Sequence, residues 1–415
     1  MISLIETLHY CCLKHGSRPL SSFNVLVGPN ASGKTTFLDV ISFLSRLVSE
    51  GPEAAVAERT ANFYDLVWGR TGYCFELAIE AALPGDIRER LADQQFSRIR
   101  YEVSIGMNSY DEISILAETG LLRPEPSVLR KQREIFPERV VPPETIQTSL
   151  PDTVRIFCKT PHGNDEYYPQ VHQGEENRKS VFRLGPRKST LGNLPEDTSL
   201  FPASTWLKEL LTQGVQQLVL NGLLIRRASP PGQTRGFRPD GSNLPWVISR
   251  LRQSDPERFQ DWIVHLQTAL PEIEDILVKE REDDRHRYLT IRYQGSTEVP
   301  SWMLSDGTLR LLALTLPAYL TDFEGIYLIE EPENGIHPRA VETMVQSLSS
   351  VYNAQILLAT HSPVILSLVR PDKVLCFARD EEGATDIVLG SEHPELRDWK
   401  GEENLGVLYA AGVLG

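Results

Sequence analysis

Basic charge, membrane-length apolar runs, paired cysteines and coiled-coil heptads are all missing from this sequence. Each absence removes a class of protein. Lys and Arg number 42 against 56 Asp and Glu, giving a formal net charge of -14. Proteins that coat nucleic acid non-specifically draw their affinity from neutralising phosphates and are usually basic. Any contact with DNA here is therefore local or supplied by a partner. No apolar run approaches the roughly 20 residues that cross a bilayer, so no membrane association is expected. The opening MISLIETLHYCCLKHG has no basic segment leading into an apolar stretch and no small-residue cleavage site. It reads as no signal peptide, and the expectation is a cytoplasmic protein. Cys11, Cys12, Cys74, Cys158 and Cys376 form no CxxC pair and no metal spacing, which points to reduced thiols. There is no internal repeat and no heptad run long enough for a coiled-coil arm.

What is present fits an α/β protein of two or three lobes, since 415 residues can bury a large core. Phe23 to Val27 (FNVLV) is a short, branched apolar run suited to a buried strand. Gly28 to Gly33 break the pattern. From Lys34 the period becomes helical, with Phe37, Ile41, Leu44 and Val48 on one face. Cys74 to Ile79, Ile99 to Ile105 and Ile113 to Ala117 alternate as antiparallel strands do. Residues 122–199 are rich in proline and charge, and read as an irregular or partly disordered insertion. Trp206 to Leu224 and Leu244 to Leu270 read as helices, separated by the loop ASPPGQTRGFRPDGSN. Near the end, IYLI at 326–329 and QILLA at 355–359 flank a helical stretch from Arg339 to Ser349. That is a strand–helix–strand unit of a parallel sheet. Val374 to Phe377 reads as a further strand. The expected division is 1–121 with the glycine-rich loop, 122–299 as an irregular and mainly helical insertion, and 300–415 as the second half of the split core.

Four motifs carry chemistry. Gly28, Pro29, Asn30, Ala31, Ser32, Gly33, Lys34 and Thr35, followed by Thr36, fit G-x-x-x-x-G-K-[ST] between a strand and a helix. Glycines let the backbone curl so that successive N–H groups face phosphate oxygens. The positive end of the following helix faces the same anion. Lys34 reaches the β- and γ-phosphates of ATP in such a loop, and Thr35 binds Mg²⁺ through its hydroxyl. In IYLIEEPE, Glu330 and Glu331 end an apolar strand, where neighbouring residues point to opposite sides. Glu330 is the candidate metal ligand and Glu331 the candidate base for the attacking water. Ser305 begins the helix after Leu304-Ser305-Asp306-Gly307-Thr308 and is a fitting N-cap, making a second anion-facing helix start. His361 follows QILLAT at the carboxyl edge of the parallel sheet, where ligands sit, and faces the γ-phosphate in this reading.

The set GPNASGKTT, LSDGT, LIEEPENGIHP and ATHSP, in that order, resembles the ATPase heads of the ABC superfamily outside transporters. It resembles in particular the AAA/RecF-like group that includes OLD-family nuclease ATPase halves and Septu-type antiphage ATPase subunits. FRPDGSNLPWVISRLR is similar to the same group. The resemblance implies a P-loop NTPase fold of the ABC-head type, with a mixed or parallel sheet, an antiparallel β arm and a mainly helical insertion. It also implies an ATP- and Mg²⁺-dependent hydrolase working as a head-to-tail homodimer. Ser305 to Thr308 then match the signature that reaches ATP on the other protomer, Asn334 to His337 the D-loop, and His361 the switch histidine. Glu330 stands where many relatives have Asp. No Gln lies between the P-loop and Gln94, so no Q-loop glutamine is assigned. Little sequence follows His361 where OLD nucleases carry a TOPRIM domain, so a nuclease site is expected on a separate effector polypeptide.

Three functions follow as expectations. The first is the ATPase subunit of an antiphage defence complex that gates such an effector. The second is a RecF-like repair clamp, touching DNA through Arg178, Lys179, Arg183, Arg187 and Lys188 or through Arg226, Arg227, Arg235 and Arg238. The third and weakest is a transporter ATPase, disfavoured by the long insertion between P-loop and signature.

Overall fold

The computed structural model describes residues 1–125, 133–148, 152–159, 164–171, 179–396, 405–410 and 412. A six-stranded sheet lies at its centre, in the order Val215–Gln217, Gly325–Glu330, Ala354–Ala359, Phe23–Val27, Val374–Arg379, Thr385–Leu389. The first five strands are mutually parallel and the last is antiparallel. These strands read as unbroken apolar runs because both faces are covered. Leu26, Leu328, Leu357 and Phe377 join the core that holds Phe37, Ile41 and Leu44 of the helix Lys34–Glu50. The alternate residues Val25, Val27, Ile329, Leu358 and Cys376 join the opposite core, with Leu312 of the helix Asp306–Thr315 and Met344 of the helix Pro338–Ser349. The two-residue period of a strand thus divides one run between two cores.

A second, antiparallel sheet covers the far side of the Lys34–Glu50 helix. Its order is Leu13–Pro19, Ile2–Tyr10, Cys74–Ala82, Phe96–Met107, Ile113–Pro124, Val154–Lys159, Asp165–Tyr167, Ser180–Phe182. Its last three strands fall in the 122–199 stretch read as irregular. Two of them are only three residues long, too short for a period to register. A three-stranded antiparallel sheet, Ile273–Glu280, Arg287–Tyr293 and Thr297–Pro300, was likewise not anticipated.

The stretch Trp206 to Leu224 is not one helix. A helix Pro202–Gln213 stops at Gly214, the strand Val215–Gln217 pairs beside Gly325–Glu330, and a short helix Gly222–Arg226 follows. Two glycines permit that join. Ile326 donates its N–H to the Gly214 carbonyl at 2.7 Å, and a Cβ on Gly325 would sit 2.3 Å from the same oxygen. Leu244 to Leu270 holds two helices, Leu244–Ser254 and Pro256–Ala269, divided at Asp255, whose side chain caps the second by accepting from the Arg258 amide.

The antiparallel sheet buries a charge cluster. The Arg100 side chain is 3% exposed and contacts Glu102 at 2.5 Å, Glu6 at 2.6 Å and Glu80 at 3.3 Å. Removing one partner of a buried ion pair leaves uncompensated charge at a cost of about 3–5 kcal/mol. Arg100→Met should lower unfolding free energy by about that amount in urea titration. A loss under about 1 kcal/mol would show that water, not Arg100, solvates these carboxylates.

Candidate functional site

The loop after Phe23–Val27 is held tightly between strands. Gly28 has φ +152, and a Cβ there would lie 2.2 Å from the Phe377 carbonyl oxygen. Gly33 has φ +102, and its Cβ would meet the Thr385 hydroxyl at 2.5 Å. Both positions therefore require glycine on two counts, conformation and space. Thr385 donates to the Ser32 carbonyl at 2.9 Å and fixes the loop to the edge strand. The Ser32 hydroxyl is buried and has no hydrogen-bond partner among the described residues. A buried orphan donor at the mouth of a helix is what an anion ligand would satisfy.

Lys34 is 7% exposed and donates to the carbonyls of Gly28 and Pro29, each at 2.8 Å. Burial pushes its pKa down to about 8, although the nearby charges of Glu331 and Glu330 pull the other way. Thr35 donates to the Glu330 carboxylate at 2.8 Å. Two oxygens this close, on a hydroxyl and a carboxylate, form a donor set suited to Mg²⁺.

Glu331 lies just past the strand end with φ +45, a left-handed conformation unusual for a residue with a side chain. Its N–H donates to the Ala359 carbonyl at 2.8 Å. Its carboxylate accepts from the Asn334 amide at 2.6 Å and lies 3.9 Å from the His361 Nε2. The His361 Nδ1 faces the Tyr409 hydroxyl at 3.3 Å, and that hydroxyl donates to the Gly28 carbonyl at 3.1 Å. Thr360 donates to the Glu333 carboxylate. His337 caps its helix by accepting from the Arg339 amide.

These groups share one cleft of about 410 Å³. Asn30, Ala31, Ser32, Gly33, Lys34, Thr35 and Thr36 line it, with Glu330, Glu331, His361, Cys11, Cys12 and Arg379. Three adjacent parallel strands thus bring together residues more than 300 positions apart. Ser305, Asp306 and Gly307 stand outside this cleft. Ser305 accepts from the Thr308 amide at 3.1 Å as an N-cap, Asp306 pairs with Arg310 at 2.8 Å, and a Cβ on Gly307 would lie 2.3 Å from the Gly335 carbonyl.

Several residues at the site had no sequence signal strong enough to find them. Gln217 ends the edge strand and lines a second cleft of about 410 Å³ shared with Glu330, Glu331 and Asn334. Its strand is only three residues long, so the alternation in VQQ was hidden behind the helix before it. Tyr409, Arg379 and the Cys11–Cys12 turn belong to no motif. Of the basic residues considered for DNA, Arg178 lies outside the described residues. Lys179 pairs with Glu166 at 2.6 Å, Arg187 with Glu112 at 2.6 Å and Glu53 at 3.2 Å, and Arg226 donates to the Leu304 carbonyl at 2.5 Å. Arg183, Lys188, Arg227, Arg235 and Arg238 are exposed.

A parallel sheet carrying a glycine-locked loop, a lysine and a facing carboxylate pair defines an α/β fold of the P-loop type. The chain belongs to the AAA family described as "AAA domain, putative AbiEii toxin, Type IV TA system", which matches residues 23–367. Its fold is similar to a crystal structure of an SMC head bound to the C-winged helix domain of ScpA, at TM-score 0.52 and 14% identity, covering 93% of this chain and 97% of that one. An SMC head domain from Thermotoga maritima aligns at TM-score 0.44 and 9% identity over 94% of this chain and 98% of that one. A Pyrococcus furiosus Smc head with an extended coiled coil, bound to the C-terminal domain of ScpA, aligns at 0.49 and 11% over 93% and 95%. No curated protein matches. Among the described residues no helix is long and apolar enough to cross a membrane.

The buried lysine has a consequence for stability. Its folded pKa of about 8 lies below the unfolded value of 10.5. Between those values the unfolded chain holds the proton and the folded chain does not, so raising pH favours folding. The stability of wild type relative to Lys34→Met should therefore climb between pH 8 and 10, by at most about 1.4 kcal/mol per pH unit. Urea titrations at several pH values measure this, and a flat difference would mean the ammonium is solvated.

Proposed function

We propose that this chain binds ATP with Mg²⁺ and hydrolyses it as one half of a head-to-tail homodimer, and that the dimer gates a separate effector, such as a nuclease, in an antiphage defence complex. The observation that carries the catalytic part is the convergence of Lys34, Thr35, Glu330, Glu331 and His361 on one cleft. In this reading Gly28 to Thr36 hold the phosphates. Lys34 exchanges its two carbonyl partners for β- and γ-phosphate oxygens, whose charge restores its affinity for a proton. Thr35 and Glu330 would hold the metal, which when bound neutralises charge on the phosphates and orients them. Gln217 is the fitting candidate for the further ligand that the sequence left unassigned.

Glu331 acts as the base toward the attacking water, held by Asn334 on one oxygen and approached by His361 on the other. A left-handed backbone at the base keeps the carboxylate turned off the strand axis, a local strain worth roughly 1–3 kcal/mol that the Ala359 hydrogen bond offsets. Ser305, Asp306 and Gly307 lie outside the cleft of their own chain, so their contact with phosphate requires a second copy. The close seat of Gly307 on Gly335 supports a shared role, because it joins the signature loop to the segment that orients Glu331.

The effector reading rests on the toxin–antitoxin description of the family and on the fold's similarity to an SMC head bound to the C-winged helix domain of ScpA. A second reading, a clamp acting on DNA directly, is favoured by the exposed Arg227, Arg235 and Arg238, the first of which directly follows the short helix packed on Asp306–Thr315. It requires ATP-dependent DNA binding whose affinity falls steeply with salt and falls again when these charges are reversed.

Lys34→Ala should abolish nucleotide binding in calorimetry. Glu331→Gln should bind ATP with near wild-type affinity, lose about 10²–10⁴-fold in turnover and accumulate as a dimer by light scattering. Ser305→Arg should bind ATP as a monomer and fail to turn it over. Wild-type hydrolysis by Ser305→Arg would sink the two-chain site. Affinity purification from the native host should recover the effector with the Glu331→Gln dimer, and recovery of the chain alone would count against gating.

A further inference from the structure

Arg379 and the Cys11–Cys12 turn line the cleft but take no part in the chemistry above. Arg379 lies directly opposite Thr385 in the antiparallel pair that closes the sheet. Directly opposed residues share a face. The Thr385 side chain is spent on that face, against Ser32 and Gly33 of the phosphate loop. Arg379 is therefore aimed at the loop's side of the sheet. It is exposed, and among the described residues its guanidinium makes no hydrogen bond or ion pair. On the same hairpin Glu382 pairs with Lys14 and Arg139, and Asp386 with Arg133.

The Cys11–Cys12 turn sits beside it. Thr385 donates its N–H to the Cys12 carbonyl at 3.0 Å. The Cys12 thiol is 3.4 Å from the Thr36 hydroxyl, and a Cβ on Gly33 would lie 3.0 Å from its sulfur. The cleft is thus polar in an ordered way. Glu330, Glu331 and His361 stand at the Lys34–Thr35 end, which takes the terminal phosphate. Whatever is attached to the other end of the phosphate chain leaves past Thr36, between the Cys12 thiol and the unpaired guanidinium.

We infer that Arg379 and Cys12 form the nucleoside end of this cleft, with Arg379 neutralising the phosphate next to the sugar and the Cys12 thiol lying against the sugar. The ligand class is a nucleoside di- or triphosphate rather than a bare polyphosphate. This rests on the P-loop reading and adds to it two residues that no motif assigns. Arg379 is a binding residue, not a catalytic one, because the phosphate it meets is common to substrate and product.

Two measurements test the inference. Fluorescence titration with N-methylanthraniloyl ADP and ATP should show Arg379→Ala weakened about tenfold or more toward both, by the same factor, as expected for loss of one charged hydrogen bond. Arg379→Lys should recover part of that loss. Turnover at saturating ATP should change far less than affinity. Separately, iodoacetamide labelling of Cys12 in the wild-type protein, followed by peptide mass spectrometry, should slow in the presence of ADP but not of inorganic tripolyphosphate. Wild-type affinity in Arg379→Ala, or Cys12 labelling unchanged by a saturating concentration of ADP, would overturn the inference. Lys34→Ala separates the two levels. If it abolishes binding while Arg379→Ala binds normally, the P-loop reading stands and the nucleoside-end assignment falls. If Lys34→Ala binds nucleotide as wild type does, the P-loop reading itself falls.

Discussion

The strand Phe23–Val27 is inserted between Ala354–Ala359 and Val374–Arg379, and everything at the site depends on that insertion. It places the amino-terminal glycine loop between two strands from the other end of the chain. The join to Ala354–Ala359 is secured at both of its ends. Ile356 and Thr360 donate to the carbonyls of Ser22 and Leu26 at 2.8 and 3.1 Å. The buried Gln355 side chain accepts from the Ile2 amide at 2.9 Å and donates to the Ile2 and Ser21 carbonyls at 2.7 and 2.8 Å. Buried amide groups satisfied at every position specify one register, because any slip would leave them unpaired. Register matters here because it decides which residues reach the carboxyl edge together.

At that edge the free protein is electrostatically loaded. A lysine is held in a nearly dry position by two carbonyls, while two carboxylates stand across the cleft. Neither arrangement is comfortable alone: the ammonium is poorly solvated and the carboxylates repel each other. A metal–polyphosphate complex answers both, giving the lysine anionic partners and the carboxylates a cation. The unpartnered Ser32 hydroxyl adds a donor with nothing to donate to. On the proposed reading the site is pre-formed for a ligand carrying adjacent negative and positive charge, and charge balance, more than shape, defines what it takes.

Legibility in the sequence followed the length and purity of the local pattern. Phe23 to Val27 and Phe37 to Val48 announced themselves because a five-residue apolar run and a 3.6-residue stripe each bury a continuous face. Glu330 and His361 were legible because each ends such a run. Gln217 was not, since three residues between Gly214 and Leu218 cannot display alternation. The strands within 154–182 were hidden because two of them are three residues long and because charge and apolar groups are inverted there: Lys159 and Asp165 pair inside, while Val154, Val181 and Phe182 are exposed. Arg379 was hidden for another reason. Its place in the cleft comes from the residue opposite it on the next strand, and cross-strand pairing is not written in a single segment.

The acidic balance of the chain acquires a meaning once the arginines are located. Arg59 is bound to Asp39, Arg100 to three glutamates, Arg133 to Asp386, and Arg226 to the Leu304 carbonyl. A segment without regular structure extends this economy. Asp386 accepts from Glu138, Asp380 from Val140, Glu76 from Thr145 and Ile146, and Glu102 from Thr148. Carboxylates of the parallel sheet's edge and of the antiparallel sheet thus grip one strap between them. Each bond joins a backbone amide or hydroxyl to a charged acceptor, stronger than its neutral counterpart. The two sheets are therefore tied to each other outside their shared core as well as through it. Thr385, which holds Ser32 at the cleft, stands one residue from Asp386, so the strap is anchored on the same edge strand as the phosphate loop.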